Sequence, residues 1–324
     1  MEFQDILEDT MRECRGEFLE YDYQGFFKIY PFTTENIDGY MHNFDVFGKK
    51  SLTVGSSGDQ VINLAMRGCL DQTVIDVCPN TKFYFYLKKA GLLELDYSEF
   101  LQFFRFRNYP MLFKENSSVF SSELYDKLKN TLYDLDKDSF TFWDTLFYDV
   151  NHELLHRRLF WGDEYQNKVL CHINTYLQNP ENYEQAKLAI ADVDPSFIFS
   201  DLTDMKYDAS NLEEYDFINL SNLGTWWSLN TTKRVVDSLS SHLKDDGNLL
   251  ICYLYDTTES SPYSHDYHNI YDVSKCRLFF APHYSYLYSF PGIEGIMKNN
   301  DYARDSVMVY QKGGKYGQNR KYYS

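Results

Sequence analysis

The sequence predicts an α/β protein: a mainly parallel seven-stranded sheet with helices on both faces and a long helical insertion between its second and third strands. Three observations predict it. Residues 51–76 read as strand, glycine turn, helix and strand. Short apolar strands resume at 197–199, 216–220 and 249–254. Between these regions, from 105 to 179, the pattern is helix after helix with no strand.

Each element has its own signal. Ile6, Met11 and Phe18 are spaced among acidic residues in the manner of an amphipathic helix, and the character changes at Tyr30-Pro31. From there to the first strand the chain is expected either to lie over a ligand pocket, with Tyr30, Thr33 and Thr34 as lid residues, or to pack on the sheet. Leu52-Thr53-Val54 is the first strand, Gly55-Ser56-Ser57-Gly58-Asp59 the turn and 60–67 the helix. Gly68 is its left-handed cap, and Thr73-Val74-Ile75-Asp76 is the second strand. A helical pattern over 80–91 and a capping box of Asp96 and Glu99 follow. Helices over 122–132, 140–160 and 164–177 form the insertion, where substrate-specific structure is commonly added. A helix over 231–243 and a turn at Asp245-Asp246-Gly247 precede the fifth strand, and 276–280 and 306–311 supply the last two. The chain thus divides into an N-terminal helical segment with the lid (1–50), two halves of a Rossmann-like domain (51–104 and 181–312), the insertion as an acceptor subdomain (105–180) and a tail (313–324) expected to be mobile.

The chemistry starts at the glycine turn. Gly55 and Gly58 permit a tight turn and let a ligand approach the backbone without meeting a Cβ, while the helix that follows points free N–H groups at the pocket. Asp76 falls near the ~20-residue spacing at which a strand-end carboxylate accepts both ribose hydroxyls. The turn lacks the third glycine of the dinucleotide fingerprint, and no phosphate-cradling Gly-Lys-Ser/Thr run follows it. A nucleoside without a pyrophosphate fits better, and S-adenosylmethionine is the commonest such cofactor. Its expected contacts are Gly55, Ser56, Ser57, Gly58, Asp59 and Gln60, with Asp76 and Val77 at the ribose. The ends of later strands add Asp201 and Leu202 at the adenine edge, and Ser221 and Asn222 at a central strand, where open α/β sheets place their ligands. The plain alternative is an ordinary strand-to-helix turn.

A resemblance sharpens this reading. Pro79 after the acid-ended strand, the helix Leu87-Lys88-Lys89-Ala90, the segment Leu95-Asp96-Tyr97-Ser98-Glu99-Phe100 and, far later, Leu220-Ser221-Asn222 join the small-residue turn in one pattern. The pattern, which covers about half the chain, resembles the S-adenosylmethionine-dependent 3-amino-3-carboxypropyltransferases, whose best-known members start betaine-lipid synthesis on diacylglycerol. The resemblance implies a methyltransferase-type sheet, S-adenosylmethionine as cofactor, and transfer of its aminocarboxypropyl arm with release of methylthioadenosine. The chain departs from the family at Asp59-Gln60, where members carry an Asn soon after the turn glycine. It departs again at Cys252-Tyr253-Leu254-Tyr255, where they carry a basic residue. Methyl transfer, which would leave S-adenosylhomocysteine, is the alternative, and a non-catalytic ligand-binding protein is a third reading.

Composition narrows the partners. The 324 residues carry a formal net charge of −17, which disfavours nucleic acid, since that affinity rests on Lys and Arg neutralising phosphates. The six cysteines form no C-x-x-C pair and read as reduced core residues. No apolar run approaches the ~18–20 residues that span a bilayer, the start lacks the features of a secretory signal, and a cytoplasmic protein is expected. The 29 tyrosines and 25 phenylalanines fill core and surface, or in a few cases hold a sulfonium cation. His152-Glu153-Leu154-Leu155-His156 matches H-E-x-x-H, but no later histidine stands at a spacing that singles out a third ligand, and Arg157 and Arg158 beside it disfavour a dication. No zinc is expected. The cofactor brings its own leaving group, so the protein's part is orientation and at most one base. Tyr30, Asn222, Tyr255 and His265 are the candidates to position or deprotonate an acceptor, which is a small molecule, a lipid or a peptide.

Overall fold

The strands that organise the molecule are short apolar runs covered on both faces, as parallel strands require. In β1 (Lys50–Val54) the residues Leu52, Thr53 and Val54 are all buried. The computed structural model describes residues 2–17, 28–33, 35, 37–104, 120–160, 173–204, 212–223, 227, 229–253, 286–291 and 304–312. Its sheet adds β2 (Asp71–Asp76), β3 (Ser196–Phe199), β4 (Tyr215–Asn219), β5 (Leu243–Tyr253), β6 (Tyr286–Pro291) and β7 (Arg304–Gln311), in the spatial order 3-2-1-4-5-7-6. The first five strands run parallel, and β7 inserts antiparallel between β5 and β6. This is the Rossmann-like, methyltransferase-type sheet that the sequence predicts. The register sets Val54 opposite Ile75, Thr53 opposite Asn219 and Asp76 opposite Phe199, so the carboxyl ends of β1, β2, β3 and β4 form one edge.

Helices α1 (Phe3–Arg15) and α2 (Ile37–Met41) precede β1, and α3 (Asp59–Ala65) joins β1 to β2. Gly16 ends α1 at φ +74° and Gly68 closes the turn after α3 at φ +78°, both left-handed positions that suit glycine. Helix α4 (Asn80–Glu94) is buried on nearly every side, so its sequence lacks a polar face. It lies between the sheet and the insertion. Helix α5 (Tyr97–Phe104) begins with the predicted capping box: Asp96 Oδ1 accepts from the Glu99 N–H at 2.8 Å, and Glu99 accepts from the Asp96 N–H at 3.3 Å.

The described part of the insertion is helical: α6 (Ser122–Leu135), α7 (Lys137–Asp149), α8 (His152–Leu159) and a single 3-10 turn (Thr175–Leu177). The helix expected over 140–160 breaks at Val150 and Asn151. Asp136 caps the start of α7 by accepting from the Ser139 N–H at 2.9 Å. The insertion shares one apolar core with α4 and α5, in which Trp143 is fully buried and donates from Nε1 to the Phe83 carbonyl at 2.8 Å. An unanticipated helix, α9 (Pro180–Ile190), leads into β3. Its signals were present: Asn179 caps it by accepting from Asn182 N–H, and Pro180 sits in its first turn.

The described strand beside β7 is Tyr286–Pro291, an alternating Tyr-Leu-Tyr-Ser-Phe run; the strand expected over 276–280 lies outside the described residues. One further expectation is corrected. The turn expected at Asp245-Asp246-Gly247 is an irregularity inside β5, which starts at Leu243 once α10 (Leu229–Ser240) has ended. Asp246 takes φ +63°, and its N–H bonds to the Lys312 carbonyl at 3.0 Å, so turn residues serve here as a bulge.

Candidate functional site

The glycine turn leaves β1 at the carboxyl edge of the sheet, and the first acid it meets is Asp76. The Ser56 N–H donates to Asp76 Oδ2 at 2.7 Å and the Cys78 N–H to Oδ1 at 2.9 Å, which ties the turn to the end of β2. Gly55 sits where a side chain would be crowded. A Cβ there would stand 3.0 Å from Asp76 Oδ2, 3.0 Å from Val74 Cγ1 and 3.1 Å from Thr81 Oγ1. Burial raises the pKa of Asp76 while the surrounding amides pull it down. Next to it Val77 is exposed, and Phe199, its neighbour on β3, is exposed as well.

Beyond the turn, the side chains of Asp59 and Gln60, expected at the ligand, point into the protein. The Asp59 carboxylate accepts from the Thr33 N–H (2.5 Å), the Ser57 hydroxyl (2.9 Å), Lys88 Nζ (2.8 Å), the Tyr176 hydroxyl (2.7 Å) and Asn174 Nδ2 (3.4 Å). Lys88, equally buried, directs its three donors at Asp59, the Ser57 carbonyl (2.7 Å) and the Pro31 carbonyl (2.8 Å), with the ring of Phe32 4.2 Å from Nζ. Burial pushes the lysine down to about 8 against the pull of Asp59, so at neutral pH it is an ammonium with every N–H used. This pair joins the N-terminal segment, the turn, α4 and the end of the insertion.

A second buried polar group lies on the other side of the turn, at the ends of β4 and β5. Gln60 donates to Glu35 at 2.9 Å and accepts from Asn219 Nδ2 at 3.0 Å. The Tyr40 hydroxyl donates to Glu35 at 3.3 Å, and the Ser221 hydroxyl also donates to Glu35. Ser221 sits at φ +54°, a strained position for a non-glycine residue, and its N–H donates to Asn219 Oδ1 at 2.9 Å. Burial raises the pKa values of both Glu35 and Tyr40.

The other predicted residues divide as follows. Tyr30 is half-buried in the stretch that bridges to α8, where the Ile29 N–H donates to the Leu159 carbonyl at 2.9 Å. Thr33 is buried against Asp59, while Thr34 lies outside the described residues. Asn222 stands beside Ser221 at the sheet edge. Asp201 is exposed and accepts from the Thr203 N–H and hydroxyl, both at 2.7 Å, and Leu202 packs on the apolar layer below. Tyr255 and His265 lie outside the described residues. The H-E-x-x-H stretch falls on α8, and one ring nitrogen of His152 is 3.1 Å from the Phe147 carbonyl. Glu35, Tyr40 and Asn219 carry no signal of their own in the sequence, and Lys88 stands out there only as part of a motif. A lysine inside the otherwise apolar run of α4 was the one available signal.

No protein-family model and no curated protein matches the chain. Among solved structures it is similar to the N-methyltransferase NodS from Bradyrhizobium japonicum WM9 in complex with S-adenosylhomocysteine, at 10% identity over 95% of this chain and 99% of that one, TM-score 0.41. It is also similar to PigF with S-adenosylhomocysteine (10% identity, 95% and 59%, TM-score 0.38) and to a putative O-methyltransferase from Nostoc punctiforme PCC 73102 (13%, 40% and 40%, TM-score 0.29). The strand order, not these distant likenesses, carries the assignment of the fold.

Proposed function

We propose that the chain is a transferase that uses S-adenosylmethionine. The observation that carries this reading is the tie between turn and acid: the amide after Gly55 is bonded to a half-buried carboxylate at the end of β2, on the carboxyl edge of a methyltransferase-type sheet. The residues fit the cofactor. Gly55, Ser56, Ser57 and Gly58 would line it, Asp76 would take the ribose hydroxyls beside exposed Val77, and Asp201 and Leu202 would border the base. Asp59 and Gln60 shape the site from behind. Ser221 and Asn222 would border it from the end of β4.

The cofactor supplies a sulfonium whose three carbons are all electrophilic, so the protein selects the product by which carbon it aligns with the acceptor. Methyl transfer to a small molecule, lipid or peptide is the reading the sheet favours, being the chemistry commonest on it. Aminocarboxypropyl transfer is the second reading, supported by the motifs around Leu87-Lys88-Lys89-Ala90 and Leu220-Ser221-Asn222. Incubation with labelled S-adenosylmethionine and a cell extract separates them. S-adenosylhomocysteine rising with enzyme concentration is the expected result, methylthioadenosine would establish the second reading, and neither product together with no binding would remove the transferase.

A further inference from the structure

Glu35 is 3% exposed, yet no cation compensates it among the described residues. Its oxygens accept from neutral donors: the Ser221 hydroxyl, the Tyr40 hydroxyl and Gln60 Nε2, with the Asn222 N–H and the Cys252 thiol also directed at it. The titratable groups facing it are Tyr40 from α2 and Cys252 from β5. Gln60 on α3 and Asn219 and Ser221 from β4 complete the surround, and no lysine, arginine or histidine reaches it among the described residues. Burying a carboxylate without an opposite charge is costly, and a chain of net charge −17 gains nothing generic from one more.

Its place is as informative as its charge. Strands β1 and β4 are neighbours in the sheet but distant in sequence, so the chain leaves them toward opposite faces and opens a crevice between their carboxyl ends, the seat of ligands in open α/β sheets. Glu35 lies between the two loops that flank this crevice. Gln60, directly after the glycine turn, bonds it on one side, and strained Ser221, directly after β4, bonds it on the other.

We propose that Glu35 is the binding residue for a cationic, N–H-bearing group of the ligand, namely the α-ammonium of the amino-acid arm of S-adenosylmethionine. This rests on the cofactor reading above. Each described partner of Glu35 is a hydrogen-bond donor that an ammonium can replace, and the ammonium adds a positive charge that none of them carries; a sulfonium has no hydrogen to donate. Burial raises the pKa of Glu35 in the free protein, and an arriving cation favours the charged form, so binding pulls that pKa back down.

Titration calorimetry on the full chain tests this with three probes: S-adenosylmethionine, S-adenosylhomocysteine, and methylthioadenosine, which keeps the nucleoside but lacks the arm. Glu35→Gln is expected to bind the first two roughly ten- to a hundredfold more weakly and methylthioadenosine unchanged. For the unaltered protein, comparing buffers of different ionisation enthalpy at a series of pH values from 4 to 8 is expected to show, within that range, more proton release with S-adenosylmethionine and S-adenosylhomocysteine than with methylthioadenosine. This second measurement decides the matter if the variant does not fold. Equal affinities in both proteins, weakening confined to S-adenosylmethionine, or the same proton count for all probes would overturn the assignment. Absence of S-adenosylmethionine binding by the unaltered protein is the separate outcome that overturns the cofactor reading itself.

Discussion

Asp59 and Glu35 are two carboxylates buried to the same depth on either side of one glycine turn, and they are treated in opposite ways. Asp59 has an ammonium at 2.8 Å and four other donors. Glu35 has only neutral donors among the described residues. A buried charge that is fully paired fixes geometry, because moving any one partner strands the rest. One left without a counter-charge is stabilised further only by something that brings it. The first therefore reads as the joint of the site, and the second as the part of it that a ligand completes.

The largest effect should come from breaking the joint. Lys88→Met removes the one ammonium at Asp59 among the described residues, and removing one partner of a buried pair typically costs about 3–5 kcal/mol, since the other is left charged and unpaired. Urea unfolding is the measurement. The double variant Asp59→Asn/Lys88→Met removes both charges and should recover most of that loss. If the single change costs less than about 1 kcal/mol, the pair is not a joint and the contrast with Glu35 disappears.

How much of this could be read from the chain follows the same division. The strand, turn and acid of 52–76 were legible because each depends on local rules: apolar runs for buried strands, glycine where φ is positive or space is short, and an acid at a fixed distance. The buried groups were not, because they are assembled from distant segments. Asp59 meets Tyr176 across 117 positions and Glu35 meets Ser221 across 186. The place of Asp59 and Gln60 in the turn points to ligand contact, while tertiary packing turns both side chains inward. The Asp245-Asp246-Gly247 bulge failed for a related reason: turn residues mark a bend, but whether the strand ends there depends on its neighbours.

Asp76 is a third carboxylate that sharpens the comparison, being half-buried and held by backbone amides in place of a cation or side chains. Asp76→Ala should weaken S-adenosylmethionine binding by about 1.5–3 kcal/mol, the loss of charged hydrogen bonds, or roughly ten- to a hundredfold. Calorimetry on a variant whose far-UV circular dichroism is unchanged would check it. Unaltered affinity would make Asp76 a structural tie for the turn and move the ribose elsewhere.

The smallest effect concerns Glu35 in the absence of ligand, and its sign is opposite to that of an ordinary ion-paired acid. A carboxyl whose pKa is raised by folding binds its proton more tightly in the native state than in the unfolded one. Between the unfolded value and the raised folded value the native state holds more protons, so stability falls as pH rises, with a slope limited to about 1.4 kcal/mol per pH unit for one group. Below that window Glu35 is neutral in both states and contributes no pH dependence; above it the full penalty is present and constant. Glu35→Gln, which keeps the shape but cannot ionise, should therefore match the unaltered protein near pH 4 and become the more stable of the two as pH rises toward neutrality. Parallel urea titrations from pH 4 to 8 measure the difference between the two curves, in which contributions from all other acids cancel. A difference that stays flat, or that favours the unaltered protein at high pH, would mean that Glu35 is compensated after all, and the asymmetry between the two buried acids would lose its electrostatic basis.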